Sequence, residues 1–64
     1  MKRFITEYSN YVMDVCMKAD DTKAAQEVSR IHFHAEHGTI TIAEAMRKLA
    51  EIHREAEEKS HEKI

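Results

Sequence analysis

The apolar residues near the start of the chain recur every three or four positions, which is the period of an α-helix and not that of a strand. Placed at 100° per residue, they span an arc of about 140°. That arc is wider than one neighbouring helix covers, so we expect a first helix over about 3–18 that packs between two partners. The arc consists of Phe4, Ile5, Tyr8, Tyr11, Val12, Val15 and Cys16. Met13 and Met17 fall outside it, beside Thr6 and Ser9.

A second helix is predicted for about 21–37. The sequence ADDT at 19–22 interrupts the apolar pattern, and its side-chain oxygens are suited to cap the free amides of a new helix. The inner stripe that follows is Ala24, Val28, Ile31 and Ala35. Gly38, the one glycine of the chain, comes just after this stripe, where a left-handed residue commonly ends a helix.

A third helix is predicted for about 42–58. Thr41 and Glu44 match the capping box, in which each side chain bonds the backbone amide of the other residue. The inner stripe is Ile42, Ala45, Met46, Leu49, Ile52 and Ala56. No apolar residue follows Ala56 until Ile64, so we expect this C-terminal end to fray.

Three helices joined by two short connections predict an all-α fold, a three-helix hairpin or bundle that forms a single domain over 1–64. A chain of 64 residues buries only about 60% of its unfolded surface, and association, a metal or disulfides commonly complete such a domain. Cys16 is the only cysteine, which excludes an intrachain disulfide. We therefore expect completion by homodimerisation. The alternative is a long helical hairpin that is finished only in a dimer.

Charge and length exclude several classes of function. Ten basic against twelve acidic residues give −2, which is neither the basic footprint of a nucleic-acid binder nor the acidity of a DNA mimic. No run of 18 apolar residues predicts a membrane span. A single unpaired cysteine favours the cytoplasm. Three short helices seldom wall a deep pocket, so we expect neither an enzyme nor a bound cofactor.

The histidines offer an alternative function. His34 and His37 lie three positions apart on the second predicted helix, and imidazole is an ordinary zinc ligand. Two ligands do not make a site, and His53 or His61 would have to supply a third. We favour surface histidines and no bound metal. The alternative is a metal-binding or metal-sensing protein that uses His34, His37 and a third histidine, with His53 as the candidate.

His53 also falls at the centre of the third stripe, between Leu49 and Ala56. A histidine there needs a hydrogen-bond partner, so we expect a satisfied core or interface residue. The sharper hypothesis is a pH-sensitive contact between subunits. Cys16, at the edge of the first arc, is expected to be a buried, unreactive thiol.

Phe33 points away from the inner stripe of its helix, among polar residues. An outward aromatic side chain is typical of a binding anchor, and the alternative is burial under the third helix. We expect the first two helices to form a partner-binding surface. Its candidate anchors are Tyr8, Tyr11, Met13, Met17 and Phe33.

A DNA-binding regulator is a third hypothesis, because the second helix, the turn at 37–41 and the third helix have the order of a helix-turn-helix motif. The would-be recognition helix meets Glu44 as its first charge, and residues 39–64 sum to −1. Phosphate contacts need cations, so direct DNA binding is disfavoured.

The segments KRFITEYSNY at 2–11 and GTITIAEAM at 38–46 resemble small helical proteins of Firmicutes and of their phages and integrated elements. The resemblance covers about a third of the chain and carries no catalytic residue. It implies an accessory factor that binds a larger host protein and inhibits or redirects it. Combined with the helical pattern, it predicts a small protein-binding module of a phage or mobile element.

Overall fold

The computed structural model describes the backbone of residues 2–62 and the side chains of residues 4–60. It has three helices, α1 (Lys2–Lys18), α2 (Thr22–Glu36) and α3 (Ile42–Glu62), and each packs against the other two. The Cα envelope measures 38 × 16 × 16 Å. The predicted all-α three-helix bundle is therefore confirmed within one chain.

The buried side of α1 differs from the predicted arc. Phe4 and Tyr11 were expected to face inward, yet their side chains are 59% and 52% exposed. Ser9, placed outside the arc by the prediction, is buried at 3%. The two partner helices close over the line that runs from Ile5 through Ser9 to Cys16, so the aromatic residues lie on a flank of α1.

The second stripe is confirmed at Val28, Ile31 and Ala35 and differs only at its first member. Ala25 is buried, whereas Ala24 is only partly buried and packs at the edge of the core. The core as a whole is built from aliphatic and small side chains. Its members are Ile5, Val12, Cys16, Ala19, Ala25, Val28, Ile31, Ala35, Ala45, Leu49 and Ala56. Five of these are alanines, so each buries little area, and none is aromatic.

The first connection begins where α1 ends in a Schellman-type turn. Asp20 takes the left-handed conformation, with φ at 59°, and the amide of Asp21 donates to the Cys16 carbonyl at 3.0 Å. The Oδ1 atom of Asp21 then accepts from the Ala24 amide at 3.1 Å. Asp21 is therefore the N-cap of α2, so the helix proper starts one residue later than predicted.

The second connection repeats this ending with glycine. His37 is the C-cap of α2, Gly38 has φ at 75°, and the Thr39 amide donates to the His34 carbonyl at 3.0 Å. At the start of α3, the Glu44 amide donates to Thr41 Oγ1 at 3.1 Å, which is one half of the predicted capping box.

The third helix is longer than predicted. It continues past 58 to Glu62. Lys59 Nζ lies 2.5 Å from Asp21 Oδ2, so an ion pair ties this end of α3 to the connection between α1 and α2. Fraying was expected from residue 57 onward; residues 57–62 are helical, and residues 63–64 lie outside the described residues.

Candidate functional site

Aromatic side chains gather where α1 and α3 lie side by side. Tyr8 and Tyr11 both meet the His53 ring edge-on, with ring centroids 6.5 and 5.2 Å apart. Phe4 lies seven residues before Tyr11, and Met46 lies seven before His53, so each pair shares one side of its helix. We call these five residues the aromatic face.

His53 was predicted to lie at the centre of the third stripe. Instead it lies at the edge of the core. Its side chain is 24% exposed, and Nε2 lies 3.1 Å from Glu57 Oε1, one turn further along α3. A carboxylate only accepts, so Nε2 carries the proton in this contact. The ring forms this hydrogen bond at the surface of the bundle. The same ring packs against the two tyrosines.

Phe33 confirms the prediction of an outward aromatic residue. It is 56% exposed, so the alternative prediction, burial under α3, is wrong. Its ring stacks on His37, with centroids 4.1 Å apart and planes 25° apart, and it meets His34 edge-on at 5.7 Å. These contacts all lie at the end of α2, so Phe33 belongs to a cluster separate from the aromatic face.

The hydrogen bonds of His34 and His37 fix which ring nitrogen is protonated. His37 Nδ1 donates to the Phe33 carbonyl at 2.9 Å. His34 Nδ1 lies 2.8 Å from Thr39 Oγ1, whose own hydroxyl donates to the His34 carbonyl at 3.0 Å, so the ring must be the donor. Over the described part of the chain, no three His, Cys, Asp or Glu side chains meet as metal ligands. The three candidate ligands, His34, His37 and His53, are therefore not brought together.

The two predicted methionine anchors have different environments. Met13 is partly buried and packs against the core, whereas Met17 is 60% exposed. By helical period, Met17 lies on the flank of α1 away from Tyr11. Of the five predicted anchors, Tyr8 and Tyr11 share the side of α1 that faces His53, Met13 and Met17 share the other flank, and Phe33 lies on α2, so the five do not form one surface.

Sequence reasoning missed Phe4 and Met46 as members of that surface, because it counted them as core, and it predicted His53 only as a core or interface residue. The seven-residue spacings on α1 and α3 were visible in the sequence. What it could not show is which edge of each apolar arc the neighbouring helices leave open.

The seam between α1 and α2 contains a contact between polar side chains. His32 Nε2 lies 3.0 Å from Thr6 Oγ1 on α1 and 3.2 Å from Glu36 Oε1 on its own helix. This contact joins the start of α1 to the end of α2. Since the Asp21–Lys59 pair joins the end of α1 to the end of α3, α1 and α3 run in the same direction and α2 runs against them.

Cys16 is fully buried, as predicted. Burial raises the pKa of its thiol, and the negative charge of Asp21 adds to this effect while Lys59 opposes it. A thiol kept neutral in this way is a poor nucleophile. The chemistry of Cys16 is therefore that of a small core residue.

No family model, curated protein or solved structure matches the chain. None of the helices over the described residues has the length and apolar character to cross a bilayer.

Proposed function

We propose that this protein is a protein-binding module that docks its aromatic face on a larger protein and so inhibits or redirects it. The observation that carries the proposal is the place of the aromatic residues. All four lie outside a core that is nearly half alanine, and Phe4 and Tyr11 are more than half exposed. Aromatic side chains offer the largest apolar area that a small domain can bury against a partner. They are also enriched among the residues that dominate binding energy.

The shape of the face suits a helix as the bound element. Two helices that run side by side leave a shallow groove, and an amphipathic helix can lay its apolar side into such a groove. Tyr8 and His53 would form the floor, with Phe4 and Tyr11 standing at the rim. Because Tyr11 already rests against His53, fixing its ring on binding costs less side-chain entropy than ordering a free one.

The charge of α3 supports a protein partner over DNA. The side of this helix turned away from the core mixes acidic and basic residues, so it lacks the cationic surface that phosphate contacts need. The acidic ones are Glu44, Glu51, Glu55 and Glu58, and the basic ones include Arg47 and Arg54. A recognition helix needs cations at its start, and Glu44 occupies that place.

Photo-crosslinking tests the surface while the partner is still unidentified. Benzoylphenylalanine would replace Phe4 or Tyr11 in living cells of the source organism, with the exposed Gln26 on α2 as the control position. We expect positions 4 and 11 to capture the same protein and position 26 to capture none of it. Equal capture from all three positions would overturn the proposal.

Alanine variants then measure the contribution of the face once the partner is purified. Tyr11→Ala should weaken binding by at least about tenfold, since anchors at interface centres commonly contribute about 2 kcal/mol or more. Met17→Ala is the matched control, because Met17 is equally exposed on the other flank of α1, and we expect less than about a twofold change. A larger loss in Phe33→Ala than in Tyr11→Ala would move the contact to the end of α2 and contradict the proposal.

A further inference from the structure

The seam between α2 and α3 is open along much of its length. Three cavities of about 440, 350 and 250 Å³ lie along it, and Glu27 borders all three. Ile31 and Ile52 each line two of the three. The seam is therefore a groove with apolar residues in its lining, on the side of the bundle away from the aromatic face.

The rims of this groove carry opposite charge. On the α2 side stand Lys23 and Arg30, and on the α3 side stand Glu51, Glu55 and Glu58, all exposed. Over the described residues, none of these five has an ion pair within 4 Å. The basic rim and the acidic rim are thus charged surfaces available to a partner.

Charges of the reverse sign lie nearer the seam. Glu27 on α2 and Lys48 on α3 are exposed and both line the two smaller cavities. At one end the Asp21–Lys59 pair closes the seam. By helical period the rim residues lie further round each helix than these inner residues, so the rims are what an approaching molecule meets.

We propose that the groove is the site at which a second copy of this chain binds, groove to groove, about a two-fold axis parallel to the bundle. Such an axis exchanges the sides of the groove and leaves the height along the bundle unchanged. The basic rim of each copy then lies over the acidic rim of the other. By symmetry, the dimer contains this contact between a basic and an acidic rim twice.

In this arrangement, opposite charges of the two copies lie at matching positions along the bundle axis, which we call their height. Lys23 lines the same cavity as Glu55, so it faces Glu55 of the second copy. Arg30 lines two cavities, one with Glu55 and the other with Lys48, so it lies between these two positions along the bundle, at the height of Glu51 of the second copy. Two basic residues therefore meet two acidic residues on each half of the interface.

The available area predicts a weak dimer. A face of 38 × 16 Å projects about 600 Å², below the roughly 800 Å² per partner of a standard interface. With much of that area charged, we expect micromolar association that weakens as salt rises. The aromatic face stays uncovered, so this inference does not depend on the proposed function, and its test needs no other protein.

Charge reversal tests the arrangement. One variant carries Lys23→Glu and Arg30→Glu, which makes both rims acidic, and the other carries Glu51→Lys and Glu55→Lys, which makes the two acidic residues that face the basic rim basic. By sedimentation equilibrium in about 25 mM and about 500 mM NaCl, each variant alone should dimerise at least about tenfold more weakly than the wild type at low salt. An equimolar mixture should form a heterodimer within about threefold of wild-type affinity, because every contact again joins opposite charges.

A variant with Lys18→Glu and Arg54→Glu provides the matched control, since it makes the same double charge change at exposed residues that line none of the three cavities. It should dimerise as the wild type does, and circular dichroism should show every variant to be helical. The inference is overturned if the wild type is monomeric at millimolar concentration in low salt, or if the reversals leave association unchanged. It is also overturned if the mixture stays monomeric. If the reversals shift only the melting temperature, the charges act within one chain, and the inference is again overturned.

Discussion

Ser9 is the residue that fits its surroundings least well. It occupies the inner line of α1 between Ile5 and Val12, where an apolar side chain is the rule, and it is buried at 3%. Its Oγ atom finds no hydrogen-bond partner among the residues that the structure describes. A hydroxyl left in this state costs about 1–3 kcal/mol of desolvation that nothing offsets.

Ser9→Ala should therefore stabilise the fold. The substitution removes the unpaired hydroxyl and leaves the small volume of the site nearly unchanged. Alanine also favours a helix, so Ser29→Ala at an exposed position of α2 measures that propensity effect alone. In urea unfolding, Ser9→Ala should gain about 1 kcal/mol more than Ser29→Ala. An equal gain in both variants would show that the Ser9 hydroxyl is satisfied, most simply by its own helix.

At the scale of the helices, periodicity was enough to predict number, order and approximate bounds. It failed where the position of a neighbouring helix decides the outcome. Tyr11 and Ser9 exchange their expected environments because the partners of α1 close over one edge of the apolar arc. Ala24 and Ala25 exchange for the same reason. A helical wheel records how wide an apolar surface is, but not which part of it is covered.

The two helix connections depend on local chemistry and were therefore easier to predict. Gly38 has φ at 75°, and a Cβ added there would meet no heavy atom within 4 Å. Its requirement for glycine is thus conformational and not steric. This separation allows the cost of the backbone conformation to be measured alone.

Chemical synthesis of the chain with L-alanine or D-alanine at position 38 makes that measurement. L-alanine is strained at positive φ and should destabilise the fold by about 1 kcal/mol, or roughly 5 °C in Tm. D-alanine favours positive φ and should match or exceed the stability of glycine, since it also restricts the unfolded chain. Equal melting temperatures for the two epimers would contradict the left-handed ending of α2.

At the scale of the whole molecule, one ion pair joins the parts that the sequence pattern leaves separate. Apolar periodicity ends at Ala56, and the prediction accordingly ended the third helix near 58. Asp21 and Lys59 are 38 positions apart, and no local pattern marks them as partners. The aromatic face was hidden for a similar reason, since it exists only because α1 and α3 are neighbours. Long-range contacts of this kind are what the sequence alone left unspecified.

The Asp21–Lys59 pair should make stability depend on pH at both extremes. The hydrogen bond from Lys59, followed by that from the Ala24 amide, lowers the pKa of Asp21, and the same contact raises the pKa of Lys59. The lowered carboxyl pKa gives stability that is present above the ordinary aspartate value of about 3.9 and is lost as pH falls through the folded value. The raised ammonium pKa gives stability that is present below about 10.4 and is lost as pH rises through the folded value.

Lys59→Gln tests this linkage, with Lys48→Gln as the control three turns earlier on the same helix. In ¹³C NMR titrations, the pKa of Asp21 should rise in Lys59→Gln, yet stay below its ordinary value because the Ala24 amide still donates. The Lys48→Gln variant should leave the pKa of Asp21 unchanged. The stability difference between wild type and Lys59→Gln should shrink as the carboxylate is protonated below about pH 3.9. An unchanged Asp21 pKa in Lys59→Gln would mean that the pair does not persist in solution, and the end of α3 would then lack this attachment to the bundle.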